Sequence, residues 1–277
     1  MIKVSKRFVD RARSNLRRYQ RVLGNARSRD VNESDTCVIV SDMVADLLGY
    51  DKYSEITTEF AIRSTFCDLA IKLDGNVQYL IEVKSIGTEL KDNHLKQAVD
   101  YAANQGVDWV LLTNGVVWRA YRLRFEKPIQ HDEVFVLDLL DPAVKPAQLL
   151  EKLYLISREA AGSSALGSYA QQKEATSRYV VAQLLLDDSV LTTVRRQLRR
   201  LFPGVRVGAD EIAGFLRNEV LKREVLEGER ADAAEKLVRR ASRKHQRVKT
   251  ERPDPTVIPA EVAKLPGPPS PVHTPTT

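Results

Sequence analysis

From Phe66 to Lys84 the chain holds two runs in which polar and apolar residues alternate, separated by Asp74-Gly75-Asn76. The runs are rich in β-branched and large apolar side chains, and the residues between them tolerate positive φ, so the pattern predicts a β-hairpin. With a three-residue loop, Leu73 faces Val77, Ile71 faces Tyr79, Leu69 faces Ile81 and Cys67 faces Val83, making one face wholly apolar. Asp68 then lies opposite Glu82 on the other face, and Lys84 follows two residues later on the same side. A two-residue loop would separate the carboxylates and mix polar with apolar residues on both faces, so the three-residue loop is expected.

A period of 3.6 dominates before the hairpin. Val4, Phe8, Ala12, Leu16, Tyr19 and Leu23 form one apolar stripe, which predicts an amphipathic helix within residues 1–29, ended by Gly24-Asn25. A second helix is expected from about Glu33 to Leu48, with Asn32 as N-cap, Gly49 as stop, and Cys37, Val40, Val44, Leu47 and Leu48 buried. Residues 55–60 alternate as a first strand.

After Lys84, Ser85-Ile86-Gly87-Thr88 breaks the strand. A helix from about Glu89 to Asn104 turns Leu95, Val99 and Ala102 inward, with Gln97 and Tyr101 one turn apart on a neighbouring face, joined by His94. Residues 109–113 and 116–121 flank Asn114-Gly115 as a second hairpin, and Val134–Leu137 adds an edge strand. Pro142 and Pro146 lead into a helix ending near Ala161. This order predicts an α/β fold, a mixed β-sheet core flanked by helices. Gly162-Ser163-Ser164 reads as a linker to an all-helical region reaching about Val248, with one helix ending at Leu201 and another starting at Asp210. Eight prolines in residues 251–277 predict a disordered tail. The expected organisation is a basic helix over 1–29, a core domain over 30–161, a helical accessory region over 162–250 and the tail.

Charge refines this picture. The 277 residues carry a net +6, which favours an anionic partner, and residues 1–29 hold ten Lys or Arg against the single acid Asp10, a local net of +9. Such a helix serves as a solvated face, a membrane-surface element or a phosphate-contacting arm. Two further clusters, Arg195, Arg196, Arg199 and Arg200, then Arg239, Arg240, Arg243, Lys244, Arg247 and Lys249, lack interleaved aromatics. Single-strand stacking is therefore not indicated, and duplex contact and plain solvation both stay open. Cys37 and Cys67 are the only cysteines, each within an apolar pattern, which argues against a disulfide scaffold or zinc cage and fits reduced cytoplasm. No apolar run approaches the ~18 residues of a membrane span.

Two carboxylates opposed across strands repel, and a hard divalent cation such as Mg²⁺ is the usual remedy, with a lysine a partial one. Each residue alone fits a solvated hairpin face. Together, Asp68-x13-Glu82-x-Lys84 resembles the PD-(D/E)xK nuclease superfamily. With Glu33 in a preceding helix and Gln97-x3-Tyr101 in a following one, residues 30–160 look like the N-terminal nuclease domain of type I restriction enzyme R subunits, with Leu150–Tyr154 a weaker late echo.

The resemblance implies a restriction-endonuclease-like, metal-dependent DNA endonuclease. Asp68, Glu82 and the main-chain carbonyl of Val83 would hold Mg²⁺ or Mn²⁺. Lys84 would orient or deprotonate water or stabilise developing charge, the electrostatic role being preferred because two carboxylates favour its charged form. Glu33 is placed as a ligand of a second metal or of a water, and Gln97 and Tyr101 as positioners of the DNA backbone. No Gly-x4-Gly-Lys-Ser/Thr phosphate loop occurs, so the ATP-driven translocase of R subunits is not expected on this chain. A separate motor or specificity subunit and a homodimer are both left open. The alternatives are a catalytically silent nuclease-fold module that binds DNA or recruits a partner, and a helical interaction protein with a merely structural N-terminal half. Against the silent module stands the electrostatic cost of the paired carboxylates without a metal.

Overall fold

Six strands make one sheet in sequence order, β1 (Ile56–Ile62), β2 (Thr65–Leu73), β3 (Asn76–Val83), β4 (Trp109–Thr113), β5 (Val117–Arg124) and β6 (Gln130–Asp138). The structure is a computed structural model that describes residues 3–62, 65–125 and 128–250. The tail expected at 251–277 lies outside the described residues. The chain divides into two units, Met1–Ala175 and one starting at Thr176.

All strand pairs are antiparallel except β3 with β4, where Leu80, Ile81, Glu82 and Val83 pair with Val110, Leu111, Leu112 and Thr113. A parallel pair needs a long crossover, and α3 (Asp92–Gln105) supplies it. The sheet is thus mixed, as the element order implies. α3 covers one face through Leu95, Ala98, Val99, Tyr101 and Ala102, packed with Ala70, Leu80, Val110 and Leu112. On the other face Leu69, Ile71, Tyr79, Ile81 and Val83 share a larger core with α1 (Lys6–Ser28), α2 (Glu33–Asp46) and α4 (Pro146–Leu155).

The hairpin register is as expected near the site and differs at the turn. Leu69↔Ile81 and Ile71↔Tyr79 pair, but a bulge between Ile71 and Lys72 shifts the ladder to Lys72↔Val77 and Leu73↔Asn76. The loop is therefore the two residues Asp74 and Gly75, with φ 50° and 80°, as a tight primed turn requires. The bulge inserts one residue, Gln78, in β3, so the tight turn coexists with the register of a longer loop. Cys67 also departs from expectation, packing with Ala70 and Leu80 on the α3 face while its thiol donates to the Ile81 carbonyl.

α1 does not stop at Gly24-Asn25 but continues to Ser28, because Leu23 and Ala26 remain buried against the core. The helix is fastened by Arg11, whose guanidinium donates to Glu159 at 2.6 and 2.7 Å and to the Leu47 and Leu48 carbonyls at 3.2 and 2.9 Å. This basic helix is therefore part of the first unit and not an appendage. Gly162-Ser163-Ser164 is a turn, not a linker. Beyond α5 (Arg158–Ala161), α6 (Ala165–Ala175) returns Leu166 and Ala170 to the same core.

The second unit contains α7 (Arg178–Leu185), α8 (Asp188–Leu201), α9 (Ala209–Phe215) and α10 (Glu229–Thr250), with a π-helical turn at Leu216–Val220 and a 3-10 turn at Arg223–Val225. Val180, Ala234 and Val238 join α7 to α10. Among the described residues, no helix is long and apolar enough to cross a membrane. Both cysteines are free thiols.

Candidate active site

The site forms where β3 ends. Lys84 prolongs the parallel ladder by donating its N–H to the Thr113 carbonyl at 2.8 Å, which keeps Glu82 and Lys84 on one side of an extended backbone. Asp68, on the neighbouring strand, accepts from the Val83 N–H through Oδ2 at 2.7 Å. Val83 thus aims the aspartate, while its own side chain is buried in the main core.

Glu82 is 4% exposed. Its Oε1 accepts from Lys84 Nζ at 2.8 Å, whereas its Oε2 is buried with no hydrogen-bond partner among the described residues. Burial pushes the Glu82 pKa up to about 6; Asp68 and Glu33 add to the rise and the Lys84 hydrogen bond opposes it. Burial pulls on Lys84 in the opposite direction, but its bond to Glu82 and the charges of Glu82, Glu33 and Asp68 override it, so its pKa is raised. Lys84 is an ammonium at neutral pH.

The predicted residues divide plainly. Glu33, in the first turn of α2, comes within 3.4 Å of Lys84 Nζ although 51 positions separate them. What brings it there is the loop after β3, where the Ile86 N–H donates to the Val31 carbonyl and Asn32 Oδ1 caps α2 through the Asp35 N–H. Gln97 Nε2 donates to the Tyr101 hydroxyl at 2.6 Å, and the Tyr101 ring packs in the cluster that contains Cys67. His94 does not extend this pair, because its Nδ1 accepts from the Lys91 N–H at the start of α3.

Sequence reasoning missed two features. One is the depth at which Glu82 is buried, which follows from β3 being a central strand with a parallel neighbour. The other is the cleft holding Arg27 and Arg119 beyond the loop after Lys84. Arg27 carries no distinguishing signal among the ten basic residues of the first 29.

Fold and site together define a mixed α/β domain with two carboxylates and a lysine at the end of a central hairpin. Residues 38–134 match the family model described as type I restriction enzyme R protein N terminus. The resemblance carried by the sequence motif therefore holds for the segment containing Asp68, Glu82, Lys84, Gln97 and Tyr101, while Glu33 and α1 precede it. No curated protein and no solved structure matches the chain.

Proposed function

We propose that the chain is a Mg²⁺-dependent restriction-type endonuclease, with Mn²⁺ as a substitute ion, that hydrolyses DNA phosphodiester bonds. The observation that carries this reading is the Glu82 carboxylate, withdrawn from water beside Asp68 with one oxygen on Lys84 and the other unpartnered among the described residues. A buried carboxylate in such a setting favours a cation. Among the described residues no three His, Cys, Asp or Glu side chains gather as a metal cluster. Two carboxylates nevertheless suit Mg²⁺, which keeps several waters and is commonly held by one or two of them. Asp68, Glu82 and the Val83 carbonyl are the donors on this reading.

When bound, the ion neutralises a non-bridging phosphate oxygen and makes a coordinated water more acidic. The protein groups do the rest. Val83 holds Asp68 in place through its N–H. Lys84, kept protonated by its carboxylate neighbours, donates to the attacking water or to the charge developing on phosphorus, an electrostatic role and not that of a general base. Glu33 restrains the ammonium from the far side. Gln97, oriented on Tyr101, contacts the DNA backbone. The substrate is met in the cytoplasm, with a separate subunit supplying motor or specificity and a second copy of the chain able to supply a second cut.

A second reading, a silent DNA-binding module, draws on the Lys84–Glu82 ion pair, which partly neutralises the site without a metal. Supercoiled plasmid separates the two. Nicking or linearisation in Mg²⁺ and Mn²⁺ but not in EDTA is expected; DNA shifted on a gel yet intact in every condition would favour the silent module.

A further inference from the structure

α1 ends against the loop that leaves the site. The Val31 N–H donates to the Ala26 carbonyl and the Ile86 N–H to the Val31 carbonyl, so the last turn of α1 is tied to the chain two residues beyond Lys84. Gly87 lies close under the carboxylate of Asp30, whose Oδ1 would stand 2.4 Å from a Cβ built at that glycine. Asn114 fastens the other end of the loop by donating to the Thr88 carbonyl at 2.9 Å. These ties frame a cleft of about 440 Å³, floored by residues 86–90 and walled by Arg27, Asn114 and Arg119.

The charges lining this cleft are unequally engaged. Arg119 donates through Nε to Glu133 at 2.7 Å and through Nη1 to the Leu90 carbonyl at 3.1 Å. Glu89 pairs with Lys91 at 3.1 Å, and Asp138 accepts from the Leu140 N–H at 2.8 Å. The Arg27 guanidinium is exposed and has no hydrogen-bond or ion-pair partner among the described residues. An uncommitted guanidinium lining a polar cleft suits a phosphate, which it can bind with two N–H donors.

We propose that this cleft seats a backbone phosphate of the DNA strand running on from the Lys84 site, with Arg27 as its anchoring cation. The inference rests on the nuclease reading for the identity of the strand. The cleft begins close to the site, because Ile86, its lining residue nearest Lys84 in the chain, lies at most about 7 Å further along the backbone, and a DNA strand carries one phosphate per ~3.4 Å of axis. It assigns a role to α1, which lies outside the segment matched by the family model.

The test is binding of a fluorescently labelled DNA duplex by the full chain without divalent metal, followed as a function of salt, for the natural sequence, Arg27→Gln and Arg27→Lys. Loss of one phosphate contact lowers the slope of log K against log salt by about 0.9 and weakens binding roughly eightfold at 0.1 M salt. Arg27→Gln is expected to show both effects with an unchanged Tm, and Arg27→Lys to keep the slope. An unaltered slope and affinity in Arg27→Gln overturns the proposal, as does failure of the natural chain to bind DNA. Cleavage in Mg²⁺ is scored separately. Natural protein that binds with the Arg27-dependent slope but never cleaves sinks the nuclease reading alone, and active protein with no Arg27 dependence sinks the cleft alone.

Discussion

Lys84 Nζ holds Glu82 Oε1 at 2.8 Å while Oε2 of the same carboxylate is buried without a hydrogen-bond partner among the described residues. One cation therefore satisfies half of a carboxylate that also faces Asp68, Glu33 and the Cys67 thiol. The thiol responds to the same surroundings, its pKa pushed up to about 12 by burial first and then by Glu82 and Asp68.

The metal-free protein should be sensitive to pH on this account. Glu82 ordinarily titrates near 4.5 and is raised to about 6 in the folded chain. Between those values the folded state binds more protons than the unfolded one, so this group's contribution is full below 4.5 and lost as pH rises through 6. The loss amounts to about 2 kcal/mol. Tm measured from pH 4 to 7 in EDTA should show this decline, Glu82→Gln should lack it, and Mg²⁺ should offset it by favouring the ionised form. An identical pH profile in the natural chain and Glu82→Gln would show that Glu82 is not strained.

Arg11 tests whether α1 belongs to the first unit. Its guanidinium and the Glu159 carboxylate are 22% and 19% exposed, and the two main-chain carbonyls complete the arrangement. Arg11→Ala leaves a half-buried carboxylate unpaired and should cost about 3 kcal/mol, read by chemical denaturation. A loss below about 0.5 kcal/mol, the scale of a surface ion pair, would mean that α1 is only loosely attached.

Gln97 and Tyr101 separate stability from function. Tyr101 is buried, so Tyr101→Phe removes one hydrogen bond and should cost roughly 1 kcal/mol. Gln97 is exposed, so Gln97→Ala should leave Tm nearly unchanged and lower the rate of DNA cleavage. Full activity in Gln97→Ala would reduce the pair to helix structure.

How far the sequence discloses the protein depends on the range of the interaction involved. Leu69↔Ile81 and Ile71↔Tyr79 were legible because period-two alternation specifies register wherever a face is buried. The Asp74-Gly75 turn was not, because a bulge leaves no mark in the alternation it interrupts. The helical stripe of α1 was readable from Phe8 to Leu23, but its end was misplaced, since the burial of Ala26 overrides the helix-ending tendency of Gly24-Asn25. Asp68, Glu82 and Lys84 stood out because their charges interrupt a hairpin. The approach of Glu33 to Lys84 and of Arg11 to Glu159 depends on contacts 51 and 148 residues apart, which no local pattern encodes.

The most direct test of the central claim compares plasmid cleavage in Mg²⁺ by the natural chain, Lys84→Ala and Asp68→Asn, each first shown to be folded by thermal unfolding. The asparagine keeps an acceptor for the Val83 N–H while removing the charge, so it should fold normally. The account predicts cleavage by the natural chain and its loss in both variants. Equal cleavage by all three proteins would contradict it and place any nuclease activity away from this hairpin.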